Sequence, residues 1–484
     1  MKSGRHIGKT LIALIPVLVL TGLLALDIGI FGSDAILGAS QVSLLVATGV
    51  CVWLSMWCYK TPWSDFEAAI RANVGDVTNA IVILLMIGAL SGAWTVSGVV
   101  PTFIYYGLKI ISPKVFLLSA CIICALVSVM VGSSWTTIAT IGVALMGIGK
   151  AEGFPDGLIA GAIISGAYFG DKISPLSDTT VMASSINRVP LFAHIRYLMV
   201  TTVPSIVITL VIFTVLGLSH AGAPAAQIEE YSRVLDRTFN LTPWLLIVPA
   251  VTAVLIARKR PALIVLAIAT MLAALFALIF QPELVSGIGE RLTGGSRAKI
   301  FFVGTVETFY NSVPIATGNP EVDALVSTRG MLGMLNTIYL IICGMCFGGC
   351  MRASGMLRQI SQLILPLARR RFGLVSSTVL TGTALNGIVS DQYLAIILTS
   401  DIFRDTYEKE GYEQRLLSRS VEDSATVTSP LFPWSSCGMT QSTILHVPTV
   451  AYLPYCFFNW ISPLMSMGVA ALGYKIFRRG KKSR

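Results

Sequence analysis

Charge is scarce in this sequence. Only 12% of its 484 residues are Asp, Glu, Lys or Arg, against 54% hydrophobic residues and a mean hydropathy of +0.76. Soluble domains carry about twice that share of charge, so an ordinary soluble protein is excluded. Histidine is nearly missing: the four copies (His6, His194, His220, His446) are scattered and form no metal-binding pattern. No HExxH, GxSxG or GxxxxGK[ST] occurs, which removes the usual signatures of a zinc protease, a serine hydrolase and a nucleotide-binding loop. The nine cysteines include Cys121-x2-Cys124 and Cys343-x2-Cys346-x3-Cys350. Both groups lie inside apolar runs without histidine partners, and they read as small apolar packing residues. No enzyme activity and no bound cofactor are expected.

What is present is a succession of apolar runs long enough to cross a bilayer core of about 30 Å. They fall near 11–31, 38–59, 77–97, 114–131, 157–186, 197–218, 241–256, 262–281, 300–315, 331–350, 373–384, 414–445 and 450–475. The net charge of +10 sits at their flanks, in Lys2, Arg5 and Lys9, Arg258–Arg260, Arg369–Arg371 and the tail from Arg478. That is the bias of a multi-pass protein of a bacterial cytoplasmic membrane, with lipid and not nucleic acid as its surroundings. The first run has a basic leader and no small-residue cleavage site, and reads as a retained span. Thirteen spans would put the termini on opposite sides, whereas two basic termini favour one side.

Features recur at a nearly constant distance. Gly88 and Gly92 match Gly344 and Gly348, Ser134 matches Ser390, and Ser174-Pro175-Leu176 matches Ser429-Pro430-Leu431, at offsets of 255–256. A constant offset over several features indicates an internal duplication. The expected organisation is a first repeat over 1–218, a linker and extra helix over 219–257, and a second repeat over 258–484. One extra helix between the copies inverts the second relative to the first, a recurrent plan of secondary transporters. The expected fold is therefore an all-α polytopic membrane protein with an inverted-topology repeat, two re-entrant hairpins and two interrupted transmembrane helices.

The hairpins are read near 132–149 and 385–399, where Gly, Ser, Thr and Asn follow a span with no polar loop; the alternative is a kinked continuous helix. The interruptions are read at Pro175 and at Pro430 and Pro433, since proline lacks the amide hydrogen and clashes with the preceding turn. Oxygen donors cluster at these places. The first half offers Ser133, Ser134, Thr136, Thr137, Asp171, Ser174, Ser177, Asp178, Thr179 and Thr180. The second offers Asn386, Ser390, Asp391, Gln392, Glu422, Asp423, Ser424, Thr426, Thr428, Ser429, Ser435 and Ser436. Such oxygens suit a hard cation such as Na+, and buried acids at membrane depth are expensive enough to mark function. Lys172 could instead pair with a neighbouring aspartate simply to neutralise it.

At these residues the sequence resembles the NhaC family of Na+/H+ antiporters, within the ion-transporter superfamily. The resemblance rests on GDKISPLSDTT (170–180), SRSVEDSATVTSPLFPWSSCG (418–438) and DQYLAIIL (391–398), and extends over nearly the whole chain. It implies a cation site between hairpin and helix break, with Asp171, Ser174, Asp178 and Thr179 in the first half and Asp423, Thr426 and Ser429 in the second. Ser134, Thr137 and Asn386 complete the expected cation ligands from the hairpins. Na+ and H+ would compete for the same carboxylates. Because the family also includes malate/lactate exchangers, Lys172, Ser177 and Ser435 are expected to serve a small carboxylate if one is carried, and coupled transport of such an anion or of an amino acid is the alternative to Na+/H+ exchange. Phe432 and Ser435 stand where Ile and Asn are expected in relatives. The arms near 99–113 and 351–372 would lie along the interface and suit a homodimer.

Overall fold

A computed structural model describes residues 2–31, 37–220, 222–258, 260–326, 328, 330–357, 359–360 and 370–478, and the described chain is helical. Seven helices among the described residues are long and apolar enough to cross a membrane, or ten if each sharply bent pair is one span. The difference from thirteen lies mainly where helices are short or broken: Arg297–Tyr310, Asp156–Ile173 followed by Asp178–Ile186, and the pieces between Gln414 and Leu445. Lipid-facing surfaces are plain on the long helices, where Leu18, Trp57, Val215 and Met271 are exposed. Apolar side chains left outside a folded core in this number need hydrocarbon around them.

Helix boundaries follow local chemistry. Pro113 opens the helix Pro113–Val131 at a position whose N–H would be unpaired anyway. That helix stops at Gly132, which is left-handed (φ 69°), and helix resumes at Ser134 with a wide π turn over Ile138–Gly142 before ending at Ala151. Arg371–Val389 stops the same way, at a left-handed Ser390 (φ 59°), and resumes as Gln392–Lys409. These are breaks and not gentle kinks. The arm expected near 99–113 is the helix Val99–Ile110, turned 64° from the helix before it; of its expected counterpart over 351–372, Arg358 and 361–369 lie outside the described residues.

The recurrence is tighter in the structure than in the letters. Helices begin at 113 and 371, 134 and 392, 156 and 414, 178 and 436, and 191 and 449, a constant separation of 258. The match of Ser-Pro-Leu with Ser-Pro-Leu is thus out of register by a few residues. At that separation Pro175 falls at the position of Pro433, and the broken segments 174–177 and 432–435 correspond in numbering.

The two broken helices form the centre. Asp156–Ile173 is buried along almost its whole length against Pro113–Val131. The approach is possible because Gly166 and Gly170 have no side chain: a Cβ would come within 2.1 Å of Cys121 O and 2.3 Å of Ala125 O. Small residues four apart are the usual means of such close helix contact in membranes.

Candidate functional site

The site grows from the two left-handed turns and the two breaks. After Gly132, Ser133 caps the restarting helix, its hydroxyl accepting from Thr136 N at 3.2 Å. After Ser390, Asp391 does the same, Oδ1 accepting from Leu394 N at 3.0 Å. Each turn also grips a broken helix. Ser134 donates to Asp171 Oδ2 from both its backbone N (3.1 Å) and its hydroxyl (2.7 Å). In the second half Ser429 Oγ donates to Gln392 Oε1 at 3.3 Å, between the positions that correspond to Asp171 and Ser134. A further pair of ties is equivalent: Ser128 Oγ donates to Ala167 O (2.6 Å), and Asn386 Nδ2 donates to Ala425 O (2.7 Å).

Breaking a helix frees backbone carbonyls, and buried ones need partners. Around Pro175 these are local. Thr180 Oγ1 donates to Lys172 O at 3.0 Å, and Ser174 N donates to Asp171 O at 3.1 Å. Ser174 Oγ donates to Val129 O at 2.8 Å, which fastens the break to the preceding helix. Ser435 caps Ser436–Leu445, accepting from Gly438 N at 3.0 Å and donating to Ser429 O at 2.5 Å. Thr137 Oγ1 donates to Ser133 O at 2.9 Å.

Both left-handed turns and the first break open on one cavity of about 1000 Å³, which Ser436 reaches from just past the second break. Asp171, Asp178 and Asp391 line it, with the hydroxyls of Ser133, Thr136, Ser177, Thr179 and Ser436. Ser177 and Thr179 are hydrogen-bonded to each other at 3.0 Å, and Ser436 Oγ donates to Asp391 Oδ2 at 3.2 Å. Arg260 is the cation of the described lining. Oxygen-rich walls with three carboxylates attract cations and repel small anions.

Asp423 lies elsewhere. It pairs with Lys172 Nζ in a core where neither side chain is exposed. Thr201 Oγ1 (3.0 Å) and Ser462 Oγ (3.3 Å) also donate to Asp423 Oδ1, and Arg419 Nε lies 3.8 Å from Oδ2. The Arg419 guanidinium stacks on Tyr197, 4.6 Å from the ring centre. Glu422 is buried beside this group.

Of the expected site residues, the structure brings Asp171, Ser177, Asp178 and Thr179 to the cavity, with Ser134 directly behind Asp171. Ser174, Thr137, Asn386, Ser429 and Ser435 serve as backbone and helix-break ties beside it. Lys172 and Asp423 are joined away from the lining, and Thr426 is buried near them on the π turn Glu422–Thr426. Asn73 lines the cavity unforeseen. It sits on the short helix Trp63–Asp76, where Phe66, Ile70 and Asn73 fall at helical spacing on the inward side, a signal that periodicity carries.

A family model described as the Na+/H+ antiporter family matches residues 166–474. A malate-2H+/Na+-lactate antiporter of Bacillus subtilis is 36% identical over 440 residues, 90% of this chain and 89% of that protein. The Na+/H+ antiporter NhaC of Bacillus subtilis is 34% identical over 88% of this chain and 90% of its own length. The NhaC of Alkalihalophilus pseudofirmus is 35% identical over 86% of each.

Proposed function

The chain belongs to the Na+/H+ antiporter family, and from that premise we propose that it exchanges Na+ for H+ by opening the Asp171–Asp178–Asp391 cavity alternately to the two sides of a bacterial cytoplasmic membrane. The observation that carries this reading is that both left-handed turns and the first helix break bring carboxylates or hydroxyls to one cavity, to which Ser436 adds the hydroxyl that follows the second break. Asp171 and Asp178 are the cation ligands, with Ser177 and Thr179 supplying neutral oxygens. The two donors of Ser134 fix the Asp171 carboxylate before an ion arrives, so little ordering is left to be done on binding.

The exchange cycle follows from charge. Ionised, the carboxylates hold Na+; protonated, they no longer do, so the two ions compete for one place. The empty, ionised site is costly to carry through a low-dielectric barrier, which suppresses leakage of either ion alone. The constant separation of 258 supports reading 1–218 and 258–484 as the two copies, with 219–257 between them inverting the second. Ser134–Ala151 and Gln392–Lys409 are then the return arms of two re-entrant hairpins. Non-helical backbone at that depth is acceptable because it borders the cavity.

Coupled exchange of a small carboxylate is the second reading, favoured by the relative named for malate and lactate. Three acids facing one guanidinium in the cavity weigh toward a cation as cargo. Proteoliposomes containing a pH dye separate the two. Added Na+ should drive proton movement, and Asp171→Asn or Asp178→Asn should abolish it while insertion and folding persist. Proton movement that requires malate or lactate would transfer the assignment to the organic anion.

A further inference from the structure

We propose that the same cavity binds a small organic cation, a primary ammonium head on a short apolar body, in competition with Na+. The inference rests on the reading of this cavity as the transport site and names a further class of occupant for it.

Size comes first. About 1000 Å³ is at the upper end of cavities that hold small organic ligands and would take roughly 30 waters. A bare or partly hydrated Na+ needs a small part of that. The wall comes second. Besides the oxygen donors the lining includes the apolar side chains of Val77, Ile83, Val181, Met182, Val265 and Ile341. Sodium gains nothing from such a surface, whereas an alkyl chain is drawn to it by leaving water. The head comes third. Ammonium offers three N–H donors in fixed tetrahedral directions, and the cavity offers acceptors: three carboxylates and several hydroxyls.

The test is equilibrium binding to the purified full-length protein, because free amines collapse pH gradients and would confuse a flux assay. Methyl-, ethyl-, propyl- and butylammonium are titrated by calorimetry at constant ionic strength, with 22Na+ binding measured on the same preparation. Each added methylene should tighten binding by about two- to fourfold as it leaves water. Na+ should weaken all four competitively, and Met182→Ser should flatten the series. Asp178→Asn should reduce amine binding at least tenfold. Intact 22Na+ binding with no amine binding, or amine affinity that ignores chain length, would overturn the proposal. Amine binding that follows the series in a preparation that binds no Na+ would support it and overturn the Na+/H+ reading instead.

Discussion

Lys172 and Asp423, 251 residues apart in sequence, meet as an ion pair with no solvent exposure on either side chain. The contact joins the first broken helix to the π turn of the second, one residue from the cavity carboxylate Asp171. Two buried cations share Asp423, since Arg419 Nε stands 3.8 Å from its other oxygen. Lys172, by contrast, also has Ser462 Oγ at 2.8 Å. The acid is therefore the hub, and its loss strands more charge than loss of the lysine.

That asymmetry orders two substitutions. Asp423→Asn removes the carboxylate that both cations share and should cost about 3–5 kcal/mol, the range for breaking a buried pair. Lys172→Met leaves Asp423 with Arg419 and should cost less. Thermal-unfolding midpoints in detergent, compared with wild type, read the order directly. A lysine variant that unfolds before the aspartate variant would contradict the assignment of Asp423 as the shared partner.

Ser134→Ala separates orientation of the cation ligand from its charge. The substitution removes the 2.7 Å hydroxyl bond to Asp171 Oδ2 and keeps the backbone bond at 3.1 Å. Hydrogen bonds to charged groups contribute about 1.5–3 kcal/mol. The Na+ concentration for half-maximal proton movement should rise roughly tenfold while maximal rate and folded yield stay near wild type. Unchanged Na+ dependence would remove Ser134 from the site.

The two left-handed turns give a paired prediction about the fold. A Cβ at Gly132 would lie 2.6 Å from the carbonyl carbon and Cβ of Leu176, in a backbone with φ 69°. Gly132→Ala must push the break away from the turn and should destabilise by more than about 2 kcal/mol. Ser390 already carries a side chain at φ 59°. Ser390→Gly should stay within about 1 kcal/mol of wild type, because relief of left-handed strain offsets the greater freedom of glycine when unfolded. Thermal midpoints of the two variants test the contrast.

Much of this arrangement was legible in composition and punctuation. Apolar runs located the long helices, and Pro175 with Asp171 and Asp178 marked the first break and its acids. The register of the recurrence was harder, because Ser-Pro-Leu occurs in both halves and attracts alignment to Pro430, whereas helix starts 258 residues apart set Pro175 against Pro433. Partners distant in sequence left no local trace. Nothing in GDKISPL says that Lys172 turns away from the neighbouring aspartates toward Asp423, since that choice is made by packing between the halves. Asp391 was ambiguous for a similar reason: a cap at a helix start faces water or a cavity according to what surrounds it.

Outside the spans, the turn after Ala151 supplies a pH prediction. Glu152 is 1% exposed, and neither oxygen of its carboxylate has a hydrogen-bond partner. Nearby charge is engaged elsewhere, with Lys150 Nζ 3.1 Å from Asp156. His220 approaches the Glu152 backbone carbonyl at 3.1 Å and stacks on Phe154, so it leaves the carboxyl itself unserved. Burial pushes the carboxyl up from 4.5 to about 7. A carboxyl whose folded pKa is raised binds its proton more tightly in the folded protein than in the unfolded chain. It therefore costs nothing below about pH 4.5, costs progressively more as pH rises, and reaches its full cost above about 7. The thermal midpoint of wild type should fall across that interval, and Glu152→Gln should remove this part of the slope and raise the midpoint at pH 8. The measurement is a pair of melting series in detergent from pH 4 to pH 9. Parallel curves for the two proteins would mean that the Glu152 carboxyl titrates as it would in water.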